Sequence, residues 1–160
     1  MGHYPLLRTK LYIPPARPEV VSRPRLVERL KAGLHHKLTL VSAPAGFGKT
    51  TLVGEWVHNV GAPGHVGVHG PAPLRVAWLS LDEGDDDLSR FLAYLIAALQ
   101  TIEASIGKGL SSALQSTGVA DASKAPPAEA VLTSLINDVA TLRNRTILVL
   151  DDYHLIEALE

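Results

Sequence analysis

Ala43-Pro44-Ala45-Gly46-Phe47-Gly48-Lys49-Thr50-Thr51 lies between a short apolar run, Leu38-Thr39-Leu40-Val41, and a helical pattern, Leu52-Val53-Gly54-Glu55-Trp56-Val57. A strand, a glycine-bearing turn ending in Gly-Lys-Thr and then a helix form the setting in which such a turn cradles phosphate. Glycine lets the backbone curl until successive N–H groups point at one anion. The new helix adds free N–H groups and the positive end of its dipole. Lys49 supplies a mobile charge for the outer phosphates, and the Thr50 hydroxyl suits a magnesium ion. Against the strict pattern G-x-x-x-x-G-K-[ST], Ala43 stands where the first glycine belongs, which requires only that this residue keep a negative φ.

The chain has 160 residues, enough for one domain with a sizeable core. With 46% hydrophobic and 19% charged residues it reads as globular rather than disordered. Cysteine is absent, which excludes disulfides and thiolate metal sites and fits a reducing compartment. No apolar run approaches the ~20 residues of a membrane span, and the N-terminus has no apolar signal core, so the expectation is a cytoplasmic protein without a membrane partner. The net charge of −1 hides an asymmetry. Arg8, Lys10, Arg17, Arg23, Arg25, Arg29, Lys31, Lys37 and Lys49 face only Glu19 and Glu28 in the first fifty residues. Without aromatic interleaving or a helix-turn-helix pattern, this basic segment reads as a solvated face near an anion or partner, not as a DNA-binding element.

Residues 1–22 read as an extended N-terminal arm, because Pro5, Pro14, Pro15 and Pro18 remove donors and push their predecessors out of the helical region. A helix then starts with Ser22 as cap and Pro24 in its first turn, carries Leu26, Leu30 and Val27 as its apolar stripe, and stops at Gly33. A strand is expected over Leu38–Ser42, and the helix after Lys49 runs to about Val60. Residues 61–73 form a loop by composition. Its His65 and His69, with His58 ahead, lack the helix or extra ligands a metal would need. Val76-Ala77-Trp78-Leu79-Ser80-Leu81 reads as a strand buried on both faces. Asp82-Glu83-Gly84-Asp85-Asp86-Asp87 follows as a capping turn of mostly solvated carboxylates, with Asp82 best placed for a ligand at the strand end. Leu88, Phe91, Leu92, Leu95, Ile96 and Leu99 recur at helical spacing. Residues 104–127 read as a loose connection with one helical turn near Leu110–Gln115, and Leu132, Leu135, Ile136, Val139 and Leu142 mark a helix starting near Pro127.

The chain then enters Thr146-Ile147-Leu148-Val149-Leu150-Asp151-Asp152, a buried strand ending in two carboxylates. Such a strand is the natural companion of a phosphate loop. Asp151 can hold magnesium opposite Thr50, and Asp152 can orient the water that attacks a γ-phosphate. A second acidic residue directly after the metal-binding one points to the ATPase branch rather than to GTPases and kinases. His154 at the strand exit reads as structural.

Leu6-Leu7-Arg8-Thr9-Lys10-Leu11-Tyr12-Ile13-Pro14-Pro15, Val21-Ser22-Arg23-Pro24-Arg25-Leu26, the loop Ala43–Thr51, Ala77-Trp78-Leu79-Ser80-Leu81-Asp82 and Leu148-Val149-Leu150-Asp151-Asp152-Tyr153-His154-Leu155-Ile156 follow in this order. Together they resemble the N-terminal ATP-binding region of the large LuxR-type ATP-dependent transcriptional regulators, the maltose-regulon-activator-like group of the signal-transducing (STAND) P-loop NTPases related to AAA+. The likeness spans nearly the whole chain, and Ala43 is ordinary in that family. It implies an α/β fold, a three-layer parallel sheet of the P-loop NTPase kind, with residues 23–160 a partial domain that carries the phosphate loop at 43–51 and the Walker-B-type strand at 146–152. It also implies ATP and Mg²⁺ as cofactors. Ala45, Gly46, Phe47, Gly48, Lys49, Thr50 and Thr51 would wrap the phosphates, and Thr50 and Asp151 the magnesium. Asp152 and Lys49 would act in catalysis, with Arg25 or Arg23 near the adenine. In such proteins a sensor-arginine strand, lid, inducer domain and helix-turn-helix follow, so the chain is expected to be part of a larger regulator. That makes it a self-associating switch with slow or absent hydrolysis and no direct DNA contact. A stand-alone P-loop ATPase or kinase, or a fragment that binds nothing, are the alternatives.

Overall fold

A computed structural model describes residues 6–16, 19, 21–61, 74–110 and 127–156. The chain divides into two compact units, one made of residues 1–12 with 75–160 and the other of residues 13–74.

The first unit is built on two parallel strands, β1 (Arg75–Ser80) and β2 (Thr146–Asp151). They pair from Arg75 opposite Thr146 to Ser80 opposite Asp151. A parallel pair needs a crossover. Here the chain between the strands contains α3 (Leu88–Gln100) and α4 (Ala128–Ala140). Ala77, Trp78 and Leu79 are all buried, as the unbroken apolar run predicts for a strand covered on both faces. Tyr94, Ala98 and Ile102 pack with Ala77, Leu79 and Leu81, and Leu6, Leu11, Leu150 and Ile156 join the same cluster. A second cluster joins Leu92, Leu95, Ile96, Leu99 and Ile106 to Val131 and Leu135 of α4. Asp87 caps α3 by accepting from the Arg90 N–H at 2.8 Å. The expected extended arm contains a 3-10 turn at Arg8–Leu11, which apolar neighbours hold on β1.

The second unit contains α1 (Pro24–Gly33) and α2 (Lys49–Gly61), packed on each other. Pro24 occupies the first turn of α1 as expected, but the cap is Arg23 without a side-chain bond. Ser22 instead donates its hydroxyl to Glu55 on α2 at 2.8 Å. Val27 and Leu30 of the expected stripe are buried, whereas Leu26 is exposed. The strand expected over Leu38–Ser42 does not form. Leu38 and Leu40 are 82% and 81% exposed, and no ladder runs through them. A strand is held by hydrogen bonds to a neighbour, and among the described residues the sheet has two strands, β1 and β2. The fold shown is therefore a mixed helix–strand arrangement around a small parallel sheet, coarser than the three layers expected. His65, His69 and the turn expected at Leu110–Gln115 beyond residue 110 lie outside the described residues.

Candidate functional site

The loop Ala43–Gly48 is shaped by two glycines in the left-handed region, Gly46 at φ 80° and Gly48 at φ 75°. An added Cβ at Gly46 would meet nothing within 4 Å, so glycine is required there by the backbone angle and not by crowding. The Phe47 N–H donates to the Pro44 carbonyl at 3.4 Å, and the Leu52 N–H to the Gly48 carbonyl at 2.9 Å, which joins the turn to the first turn of α2. That first turn contains no acidic residue, so no carboxylate competes for an anion at the positive end of the helix. Lys49 folds back onto the loop and donates its ammonium to the Ala43 carbonyl at 2.9 Å and the Pro44 carbonyl at 3.3 Å. Thr50 and Thr51 are half-buried in the same turn, while Ala45, Gly46 and Phe47 are exposed. Turn, helix start and lysine thus place an ammonium beside the positive end of a helix. Arg23, at the start of α1, sends its guanidinium to the Phe47 carbonyl at 3.0 Å. Arg25 is exposed on α1, and the structure brings Arg23 to the loop instead.

In the other unit, Asp151 closes β2 and accepts the Leu81 N–H on its backbone carbonyl at 3.0 Å. Asp152 is left-handed at φ 56°, ψ 32°, and its N–H donates to the Asp151 carboxylate at 3.1 Å. Aspartate tolerates this region better than most residues because its short polar side chain bonds locally. His154 is exposed in the 3-10 turn Tyr153–Leu155 that follows.

The acidic turn after β1 is more than a solvated cap. Asp85 is 1% exposed and Lys10 is 6% exposed, and the two form an ion pair. Lys10 also donates to Asp82 at 3.0 Å and lies 4.3 Å from the Tyr94 ring centroid, a cation–π contact. Arg90 reaches Asp82 at 3.1 Å and Asp85 at 3.2 Å. Asp82 and Asp85 make a reciprocal capping box over the 3-10 turn Glu83–Asp86. The Lys10 hydrogen bond, aided by the Lys10 and Arg90 charges and the Gly84 N–H against a burial penalty, holds the Asp82 carboxyl below its ordinary 3.8. Asp82, the residue best placed by sequence for a ligand at the strand end, is thus spoken for by two cations. Sequence reasoning missed Lys10. The available signal was the pair of apolar residues around it, Leu6 and Leu11, in a segment otherwise rich in proline.

No protein-family model matches the chain. It is 34% identical over 151 residues to the HTH-type transcriptional regulator MalT of Cronobacter sakazakii, covering 94% of this chain and 15% of that protein. MalT of Serratia proteamaculans is 35% identical over 151 residues with the same coverage. The serine/threonine-protein kinase PknK of Mycobacterium tuberculosis is 33% identical over 135 residues, covering 84% of this chain and 11% of PknK. The chain therefore spans about 15% of the MalT proteins it matches and about 11% of PknK.

Proposed function

The chain is a MalT-like N-terminal region of the LuxR-type regulators, and from that premise we propose that it is an Mg-ATP-binding switch module with slow or absent hydrolysis. The observation that carries the proposal is the loop Ala43–Gly48: two left-handed glycines lead into a helix start free of carboxylates, with Lys49 at its mouth. Backbone N–H groups of Ala45 to Thr51 wrap the phosphates in this proposal. Lys49 exchanges two neutral carbonyl acceptors for charged phosphate oxygens, and charge-assisted bonds are about twice as strong as neutral ones. Thr50 would offer a hydroxyl and Asp151 a carboxylate to magnesium, which would neutralise charge on the outer phosphates. Asp152 orients water, and the segment around Arg25 borders the base. Two different named proteins, a regulator and a kinase, contain segments similar to this chain, which supports a shared nucleotide module more than a shared final output. No DNA contact is assigned to this segment.

Titration of a fluorescent ATP analogue into wild type and Lys49→Ala tests the proposal. Loss of the lysine bonds is expected to weaken binding about 10- to 100-fold, the range for hydrogen bonds to charged groups. Equal binding by the two proteins rejects it. Self-association is the second part of the reading, and the specific observation in its favour is the exposure of Leu38 and Leu40 in an apolar segment that forms no strand.

A further inference from the structure

The Phe47–Gly48 peptide leads into Gly48 at φ 75° and lies one residue beyond Gly46 at φ 80°. Glycine occupies both signs of φ at similar cost, so on its Gly48 side local sterics barely specify which way this peptide plane faces. An outside brace does. Arg23 donates from Nη1 to the Phe47 carbonyl at 3.0 Å, and its two terminal nitrogens lie 3.9 and 4.0 Å from the place a Cβ on Gly48 would take. The peptide is trans, so a carbonyl held toward Arg23 turns the Gly48 N–H the opposite way. A cation on the carbonyl also polarises the peptide and makes that N–H a stronger donor. Neighbouring contacts fix the brace itself: Ser22 is bound to Glu55 of α2 at 2.8 Å, and Pro24 begins α1. Two consecutive residues thus grip the loop and the helix that leaves it.

We propose that Arg23 is a positioning residue that sets the Phe47–Gly48 peptide for anion binding, rather than a contact to the base. The inference rests on the nucleotide reading above and adds how the loop is kept competent before its ligand arrives. Phosphate-bearing ligands should feel its loss whether or not they carry a base, and a base without phosphates should not.

Displacement titrations with ADP, pyrophosphate and adenosine, on wild type, Arg23→Ala, Arg23→Lys and Lys49→Ala, test this. Arg23→Ala is expected to weaken ADP and pyrophosphate about tenfold, as for one charge-assisted hydrogen bond, with adenosine unchanged. Arg23→Lys, which keeps one cationic donor, should stay within about threefold of wild type and serves if the alanine variant does not fold. The inference is overturned if adenosine weakens as much as ADP, which makes Arg23 a base contact. It is equally overturned if Arg23→Ala binds ADP and pyrophosphate like wild type. If Lys49→Ala keeps wild-type ADP affinity, the nucleotide reading fails and this inference with it. A loss in Lys49→Ala with none in Arg23→Ala sinks the inference alone.

Discussion

Lys10 gives up hydration at its ammonium and recovers it from two carboxylates and the face of Tyr94. Removing one partner of a buried ion pair usually costs about 3–5 kcal/mol, because the other charge stays buried and unpaired. Arg90 still touches Asp85, so Lys10→Met is expected at the low end, about 3 kcal/mol, by denaturant unfolding. Adding Asp85→Asn to Lys10→Met should recover part of that loss, the sign of a coupled pair. Asp82 gives a pH signature. Its folded pKa lies below the ordinary 3.8, so its contribution is present above 3.8 and fades as acid titrates the folded carboxylate. Asp82→Asn should therefore be less stable than wild type at neutral pH, with the gap closing below 3.8 in an acid-unfolding series. At Gly46 an alanine would meet open space yet be forced to φ 80°, so Gly46→Ala should destabilise by about 1 kcal/mol through backbone strain alone. The glycines and Lys49 were legible because their chemistry is local. Ser22 was misread as a cap because a serine before a helix signals one, whereas its hydroxyl found Glu55 thirty-three residues away. No local pattern announces such a partner.

Helices and strands show the same division between local and distant causes. The helical spacing of Leu92, Leu95, Ile96 and Leu99 predicts α3, and the continuous apolar run around Trp78 predicts β1, since each pattern reports the face that must be buried. Leu38-Thr39-Leu40-Val41 has the same residue types and no strand, because a strand exists only with a partner, and the partner is not written in the segment. Its apolar side chains stay in water, which is an association hazard. Replacing Leu38 and Leu40 together by lysine should reduce concentration-dependent light scattering while leaving the thermal midpoint within error of wild type. Unchanged scattering would place the association surface elsewhere. Between α3 and α4 the opposite holds: Leu135 is 3% exposed within a closed cluster. Leu135→Ala should cost about 2–5 kcal/mol, with the loss read as faster amide exchange in both helices.

At the scale of the whole molecule, the sequence suggests one arm and one partial domain, and the chain forms two units, one of which joins two separate stretches. That division depends on contacts made by Leu6, Lys10 and Leu11, which proline-based reasoning about an extended arm does not foresee. A ligand that binds only the folded state at a hundred times its Kd adds about 2.7 kcal/mol of stability. Mg-ATP at that excess over the wild-type Kd should raise the thermal midpoint of wild type and raise that of Lys49→Ala by about half as much or less. The order of the chain has one more consequence, which belongs to synthesis. Lys10 is synthesised well before its partner, because Asp85 follows seventy-five residues later. At about 5–20 residues per second, that is a wait of about 4–15 seconds, during which all of residues 13–74 are made. The lysine spends that interval hydrated, and the acidic turn must emerge before Lys10 has a carboxylate to meet. Translation therefore makes the glycine loop and its helix before Lys10 can close its ion pair, and this early lysine is among the later side chains to reach its place.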